Sequence, residues 1–320
     1  MNSAVCVYIG EQIARYGFGS GHPFGTDRMD AFWEEAQRQG VANLVSVRDP
    51  VLAQQADLEL FHTADYVSQV MRQSKTGDGF LDYGDTPAFK GVYEAAAHVV
   101  GSTLDATDRI MNGQCRRAFV PIAGLHHARR DRAGGFCVFN DCGIVIAALR
   151  KKYGLKKIAY VDIDAHHGDG VFYGYEDDPD LVFADMHEDG RFLYPGTGHS
   201  DETGIGAAKG TKLNLPLLPE SDDTTFFQNW SRIEDFLNAQ QPEFIILQCG
   251  ADSVTGDPIT HMQFSSAAHG HAASRLCHLA ESYGHGRVLA TGGGGYNRKN
   301  IGKAWCAVVQ SLVDAPIDGT

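Results

Sequence analysis

Seven short apolar runs, rich in β-branched residues, alternate along the chain with longer stretches of helical periodicity, and this alternation restricts the fold to strand–helix–strand units. The runs lie at 4–9, 44–47, 118–120, 158–163, 181–186, 244–249 and 288–291, and the predicted helices at 27–37, 64–72, 91–110, 141–153, 225–240, 265–283 and 297–313. Ile158-Ala159-Tyr160-Val161 shows no polar alternation, the pattern of a strand covered on both faces of a parallel sheet. Asp27, Asp141 and Asn297 are candidate N-caps, and Gly154 and Gly284 candidate stops. No repeat, low-complexity tract or Pro/Gly/Ser-rich linker divides the sequence, so residues 1–320 are expected to form one α/β domain. The longest stretch without a predicted element, 186–211, is rich in glycine and charge, and a loop of that length is expected to serve function.

Charge and cysteine content exclude several classes. With 27 Lys and Arg against 40 Asp and Glu the formal charge is −13, so no basic stripe for nucleic acid is expected; the excess acid points mildly to a cationic substrate, but solubility alone is the stronger reading of it. No run approaches the ~18–20 apolar residues of a membrane span, and 4–9 is too short and lacks a basic leader, so a soluble cytoplasmic protein without membrane partners is expected. Seven cysteines without a Cys-x-x-Cys pair predict reduced thiols.

Ligands of parallel sheets gather beyond the carboxyl ends of strands. Four predicted strands are followed by chemistry: His126-His127 after 118–120, Asp162 to Asp169 after 158–161, Asp252 after 244–249, and Gly292 to Gly295 with Tyr296 after 288–291. Asp164 and His166, two apart at a strand end, reach one ion from the same face, and Asp252 would complete three ligands with one position open. That is the catalytic zinc pattern, shared by ferrous iron, cobalt and manganese. Asp162 and Asp169 are the natural carboxylates to orient the two histidines, one of which would serve as general base. The glycine run lacks dinucleotide and Walker spacings; four glycines instead allow an unusual backbone path that delivers the Tyr296 phenol towards an oxyanion.

Gly124-Leu125-His126-His127-Ala128, Gly135-Phe136-Cys137-Val138-Phe139-Asn140-Asp141, the segment Asp162 to Gly170, Pro195-Gly196-Thr197-Gly198, Gly250-Ala251-Asp252 to Gly256-Asp257-Pro258, and Gly292 to Asn297 together resemble the motif series of the zinc-dependent histone deacetylase family, in order and spacing, from about His22 to Trp305. By motif the chain looks like the bacterial deacetylase-like amidohydrolases, including the acetoin-utilisation type, with acetylpolyamine amidohydrolases as a sister group. The resemblance implies the three-layer arginase-deacetylase fold, with a central, mostly parallel eight-stranded sheet. It also implies zinc on Asp164, His166 and Asp252, His127 as general base paired with Asp169, His126 as electrostatic partner paired with Asp162, and Tyr296 as the carbonyl-polarising phenol.

Further roles follow from the same resemblance. Phe136 and Tyr194 would wall an acyl-lysine tunnel beside Gly135, and family members often carry Phe at the second position. Asp85 would grip substrate amides at the rim, Ile259 would supply apolar rim surface, and Arg28 would line an internal channel. One monovalent cation, K⁺ or Na⁺, would sit on carbonyls of Asp162, His166 and Met186 with the side chain of Asp164; Asp185, where a hydroxyl residue is usual, would hold it more strongly. A second would use carbonyls near Tyr175, Asp178, Leu181 and Thr211.

Arginases share the fold, but Gly168 replaces a carboxylate and Asp252 has Gly250 and Val254 two residues away, which argues against a binuclear site. The expected enzyme is thus a hydrolase of linear amide C–N bonds acting on acetylated lysine in proteins. Acetylpolyamine or another small acetylated amine is the alternative substrate, and an inert acetyl-lysine binding module the alternative of another class. The sequence is also compatible with a homo-oligomer.

Overall fold

The structure, a computed structural model, describes residues 5–316. Ala4, expected in the first strand, and residues 317–320 lie outside the described residues. Eight strands, β1 (Val5–Tyr8), β2 (Ser46–Arg48), β3 (Arg117–Val120), β4 (Ile158–Asp162), β5 (Leu181–Glu188), β6 (Lys212–Leu217), β7 (Phe244–Gln248) and β8 (Val288–Thr291), form one sheet in the order β2-β1-β3-β8-β7-β4-β5-β6. Every neighbouring pair is parallel, so the sheet is wholly rather than mostly parallel.

The helices are α1 (Glu11–Ala14), α2 (Arg28–Gln39), α3 (Gln55–Leu58), α4 (Ala64–Thr76), α5 (Val92–Met111), α6 (Asp141–Tyr153), α7 (Asp169–Gly174), α8 (Asp223–Gln240), α9 (Ser266–Ser282) and α10 (Arg298–Asp314). Alternate residues of each central strand enter opposite apolar layers. Ile158 and Tyr160 of β4 pack with α4, α5 and α6, whereas Ala159 and Val161 pack with α2, α8, α9 and α10. Both layers exclude water from the sheet, which is why its strands read as unbroken apolar runs.

β6 was not expected. Its Lys212, Asn214 and Pro216 obscure the strand signal, and its place at the sheet edge explains how proline is accommodated. α1, α3 and α7 are too short to show a helical period. Two of the expected caps behave differently from the expectation. Asp27 precedes α2 without a capping bond and instead pairs with Arg298, and α6 is capped by Asn140, whose side chain accepts the Gly143 N–H at 2.8 Å. The Asp141 carboxylate is used for the loop after β3, accepting the N–H groups of Gly124 and Leu125. Asn297 does cap α10, through the Lys299 N–H.

β3, β8, β7 and β4 are consecutive in the middle of the sheet. Their carboxyl ends therefore bring four sequence-distant loops, 121–140, 292–297, 249–253 and 163–169, to one edge.

Candidate active site and metal centre

β4 delivers Asp164 and His166, and β7 delivers Asp252 on the short turn that follows it. All three are buried, and one potential ligand atom from each lies within 4.8 Å of the other two. His166 Nδ1 stands 3.0 Å from Asp164 Oδ1 and 3.1 Å from Asp252 Oδ2. The backbone is shaped around these carboxylates: a Cβ at Gly250 would lie 2.0 Å from Asp164 Oδ2, and one at Gly294 2.0 Å from Asp252 Oδ2. Two carboxylates and an imidazole, convergent and shielded from water, fit a divalent ion of the zinc class. Gln248 steadies the set by donating to Asp164 Oδ2 at 2.9 Å, as does the Gly294 N–H at 2.8 Å.

The loop after β3 presents the histidine pair. His126 Nδ1 meets Asp162 Oδ2 at 2.8 Å, His127 Nδ1 meets Asp169 Oδ1 at 2.7 Å, and the two Nε2 atoms are 3.1 Å apart. With both Nδ1–H groups given to carboxylates, one proton is shared between the Nε2 atoms, and the electrostatics favour His126 as its owner. Burial disfavours charge on His126, but Asp162 and Asp164 outweigh it and raise its pKa to about 9. Burial and the adjacent His126 push His127 down to about 4 against the pull of Asp169, leaving its Nε2 as an acceptor at neutral pH. Burial alone would raise the Asp169 pKa, yet His127 and the Arg129 guanidinium, 2.7 Å from Asp169 Oδ2, hold it below the usual range.

The loop after β8 carries Tyr296 into the same cavity, which His126, His127, Asp164, His166 and Asp252 also line. A Cβ at Gly292 would sit 1.8 Å from the Pro121 carbonyl oxygen and one at Gly293 2.4 Å from Gln248, while Gly295 takes φ +120°. No side chain fits this path. Buried Arg28 fastens it, donating to the carbonyls of Gly295 at 2.9 Å and Gly293 at 2.6 Å while stacking on Phe24 at 4.0 Å. Asp257 accepts the Tyr296 N–H at 2.8 Å.

The walls above the cavity come from two other loops. Gly135 (φ +52°) and Phe136 (φ +67°) are consecutive left-handed residues, and a Cβ at Gly135 would lie 2.4 Å from His127 Cδ2. The Phe136 ring packs edge-on to Tyr296 at 5.9 Å, and the Tyr194 ring edge-on to His127 at 5.1 Å. Asp85 and Tyr194 line a cleft of about 520 Å³ that opens onto His127 and Asp169. Burial and neighbouring Asp82 raise the Asp85 carboxyl to about 6. The Ile259 N–H donates at 3.1 Å to Asp257 Oδ1, on the same carboxylate that accepts the Tyr296 N–H.

At the first expected cation position β4 and β5 place Asp162 beside Asp185, next to Met186. The Asp185 carboxylate is already engaged, with Oδ1 2.7 Å from His187 Nδ1 and Oδ2 accepting the Gly168 N–H at 2.8 Å. It is thus not a bare anionic ligand. At the second position, the carbonyls of Asp178 and Leu181 face a lysine, Lys212, rather than open space.

Phe24, Arg129, Tyr160 and Gln248 were missed in the sequence. Tyr160 donates to Asp162 Oδ2 at 2.5 Å, and Phe24 lines the cavity. Gln248 had a signal, as the single polar residue ending Phe-Ile-Ile-Leu-Gln. Phe24 had none, because an aromatic in a loop reads as core.

The model of the histone deacetylase domain matches residues 22–312. The chain is 36% identical over 318 residues to the acetoin utilization protein AcuC of Bacillus subtilis (strain 168), covering 96% of this chain and 81% of that one. It is 32% identical over 317 residues to AcuC of Staphylococcus xylosus, covering 96% and 82%. The crystal structure of the HDA15 HD domain superposes with a TM-score of 0.90 at 25% identity, covering 98% of this chain and 89% of that one. The three-layer parallel sheet matches the arginase-deacetylase fold.

Proposed function

The chain belongs to the histone deacetylase family, and from that premise we propose that it is a zinc-dependent amidohydrolase removing acetyl or short acyl groups from lysine side chains of proteins. The observation that carries this reading is the meeting of three metal-ligand side chains, two carboxylate-paired histidines and one phenol around a single buried cavity. Zinc held by Asp164, His166 and Asp252 would supply Lewis acidity, acidifying water and polarising the acyl carbonyl.

The protein's own groups do the rest. His127, kept neutral by burial and by the adjacent His126, is the base that takes the proton of the attacking water, while Asp169 fixes its tautomer. His126, kept positive by Asp162, stabilises negative charge that develops in the cavity. The Tyr296 hydroxyl donates to the oxyanion, and the proton held by the histidine pair passes to the leaving amine.

Protein lysine is favoured over acetylpolyamine by the state of the rim carboxylates. Asp85 lines the cleft that opens onto His127, where its carboxylate can accept the backbone amides of a peptide, while Asp82 Oδ1 accepts the N–H groups of Gly84, Asp85 and Thr86 and shapes the turn that presents it. A turnover panel tests the assignment: acetyl-lysine peptides against N-acetylated putrescine, cadaverine and spermidine, with metal-loaded and chelated enzyme. Faster turnover of peptides is expected. Faster turnover of the polyamines would reverse the substrate assignment, and metal binding without turnover of any acylated amine would make the chain a binding module.

A further inference from the structure

Lys212 opens β6 and is only 2% exposed, so its ammonium has lost nearly all contact with water. Each of its three N–H donors has a neutral oxygen in place of water: the Asp178 carbonyl at 2.8 Å, the Leu181 carbonyl at 2.8 Å and the Thr211 hydroxyl at 2.9 Å. A ring of carbonyl and hydroxyl oxygens replacing a hydration shell is how proteins hold a bare monovalent cation. Two of these acceptors are carbonyls expected to bind a second potassium or sodium ion. The third departs from that expectation, because the Thr211 carbonyl is committed to the sheet, accepting the Phe183 N–H at 3.1 Å, and its hydroxyl turns to the ammonium instead.

We propose that Lys212 is a built-in monovalent cation, so that this chain closes the loop between α7 and β5 onto β6 with its own side chain and binds no exchangeable ion there. A metal ion and the ammonium cannot share the same carbonyls: both need the lone pairs of Asp178 and Leu181, and they would repel at contact distance. The surroundings supply the counter-charge at longer range. Burial lowers the Lys212 pKa to about 8; Asp178, Asp177 and Glu176 pull it up, and Arg150, which pairs with the Asp178 carboxylate, pushes it down. The tie bears on the active site through α7, whose first residue, Asp169, orients His127. An exchangeable ion would make the closure of this loop depend on salt composition, whereas a tethered ammonium makes it constitutive.

Melting temperatures of the full-length wild type, Lys212→Ala and Lys212→Met, in KCl and in N-methyl-D-glucamine chloride at equal ionic strength, test the proposal. Lys212→Ala leaves the carbonyls without a cation and opens room for one. Its melting temperature should therefore rise on changing to KCl by about 2–4 °C more than that of the wild type. Lys212→Met fills the space without charge and should show no such increment. Equal potassium responses in the wild type and Lys212→Ala would overturn the proposal. Wild-type crystals soaked in rubidium chloride give a measurement independent of whether any variant folds: no anomalous peak is expected between the carbonyls of Asp178 and Leu181, and a peak there would overturn it.

Discussion

At the scale of single residues, the proposed roles separate into groups that differ in what their loss should do. Tyr296 is held by its backbone, through Asp257 and the Arg28-fastened glycines, so removing its hydroxyl leaves the loop in place. Tyr296→Phe is expected to lower kcat on the order of 100-fold with unchanged melting temperature, as for a lost oxyanion donor; steady-state kinetics that retained full turnover would remove Tyr296 from the mechanism. His127→Ala should be nearly inactive while still binding one zinc per chain, measured by atomic absorption, because His127 is not one of the three ligands. Asp85 makes a prediction in pH. Its pKa is raised to about 6, so the carboxylate that accepts substrate amides is present above that pH and is lost as pH falls through it. KM for a peptide should climb below about pH 6 in the wild type and stay flat in Asp85→Asn; parallel profiles would count against the gripping role.

At the scale of elements, the loops are kept in shape by close backbone packing and buried hydrogen bonds. Gly294 approaches Asp252 so closely that Gly294→Ala must displace a carboxylate, and zinc affinity in a chelator competition should fall 10-fold to 100-fold with little loss of fold. An undiminished affinity would show that the loop gives way instead. The entry to α6 is held similarly. His62 Nε2 accepts the Asn140 N–H at 2.9 Å, and Asn140 in turn donates to the carbonyls of His126 and Ala128. Burial depresses the His62 pKa from 6.5 to about 4. The unfolded chain therefore binds this proton first, and the stability His62 confers is complete above about pH 6.5 and drains away towards pH 4, by on the order of 3 kcal/mol. The difference in melting temperature between the wild type and His62→Gln should shrink or reverse over that range. A constant difference would mean that His62 does not titrate there. Elements with a strong period, such as β4 and α6, were legible in the sequence, whereas β6 was not, because a buried lysine and an edge proline are read as loop.

At the scale of the whole molecule, the candidate metal triad joins the ends of the paired strands β4 and β7, and it includes two buried carboxylates, Asp164 and Asp252. Removing the ion should leave Asp164 and Asp252 repelling, so chelation is expected to lower the melting temperature and added zinc to restore it together with activity. Calorimetry with and without chelator checks this, and an unchanged transition would mean that the site is not a stabilising metal centre. Under the proposed function, selection of substrate would fall to local groups such as Asp85 and Tyr194, which line the cleft, rather than to the −13 charge of the chain. Read alone, the sequence determined the α/β class, the strand-end placement of Asp164, His166, Asp252, the histidine pair and Tyr296, and the family, because those properties reside in apolar periodicity and in short contiguous motifs. Only the tertiary structure decided that β3, β8, β7 and β4 lie side by side, that Phe24, Gln248 and Arg28 buttress the site, and that Lys212 donates to the carbonyls of Asp178 and Leu181. Those facts depend on which side chain meets which across tens to hundreds of residues, and packing, unlike periodicity, leaves no local trace in the chain.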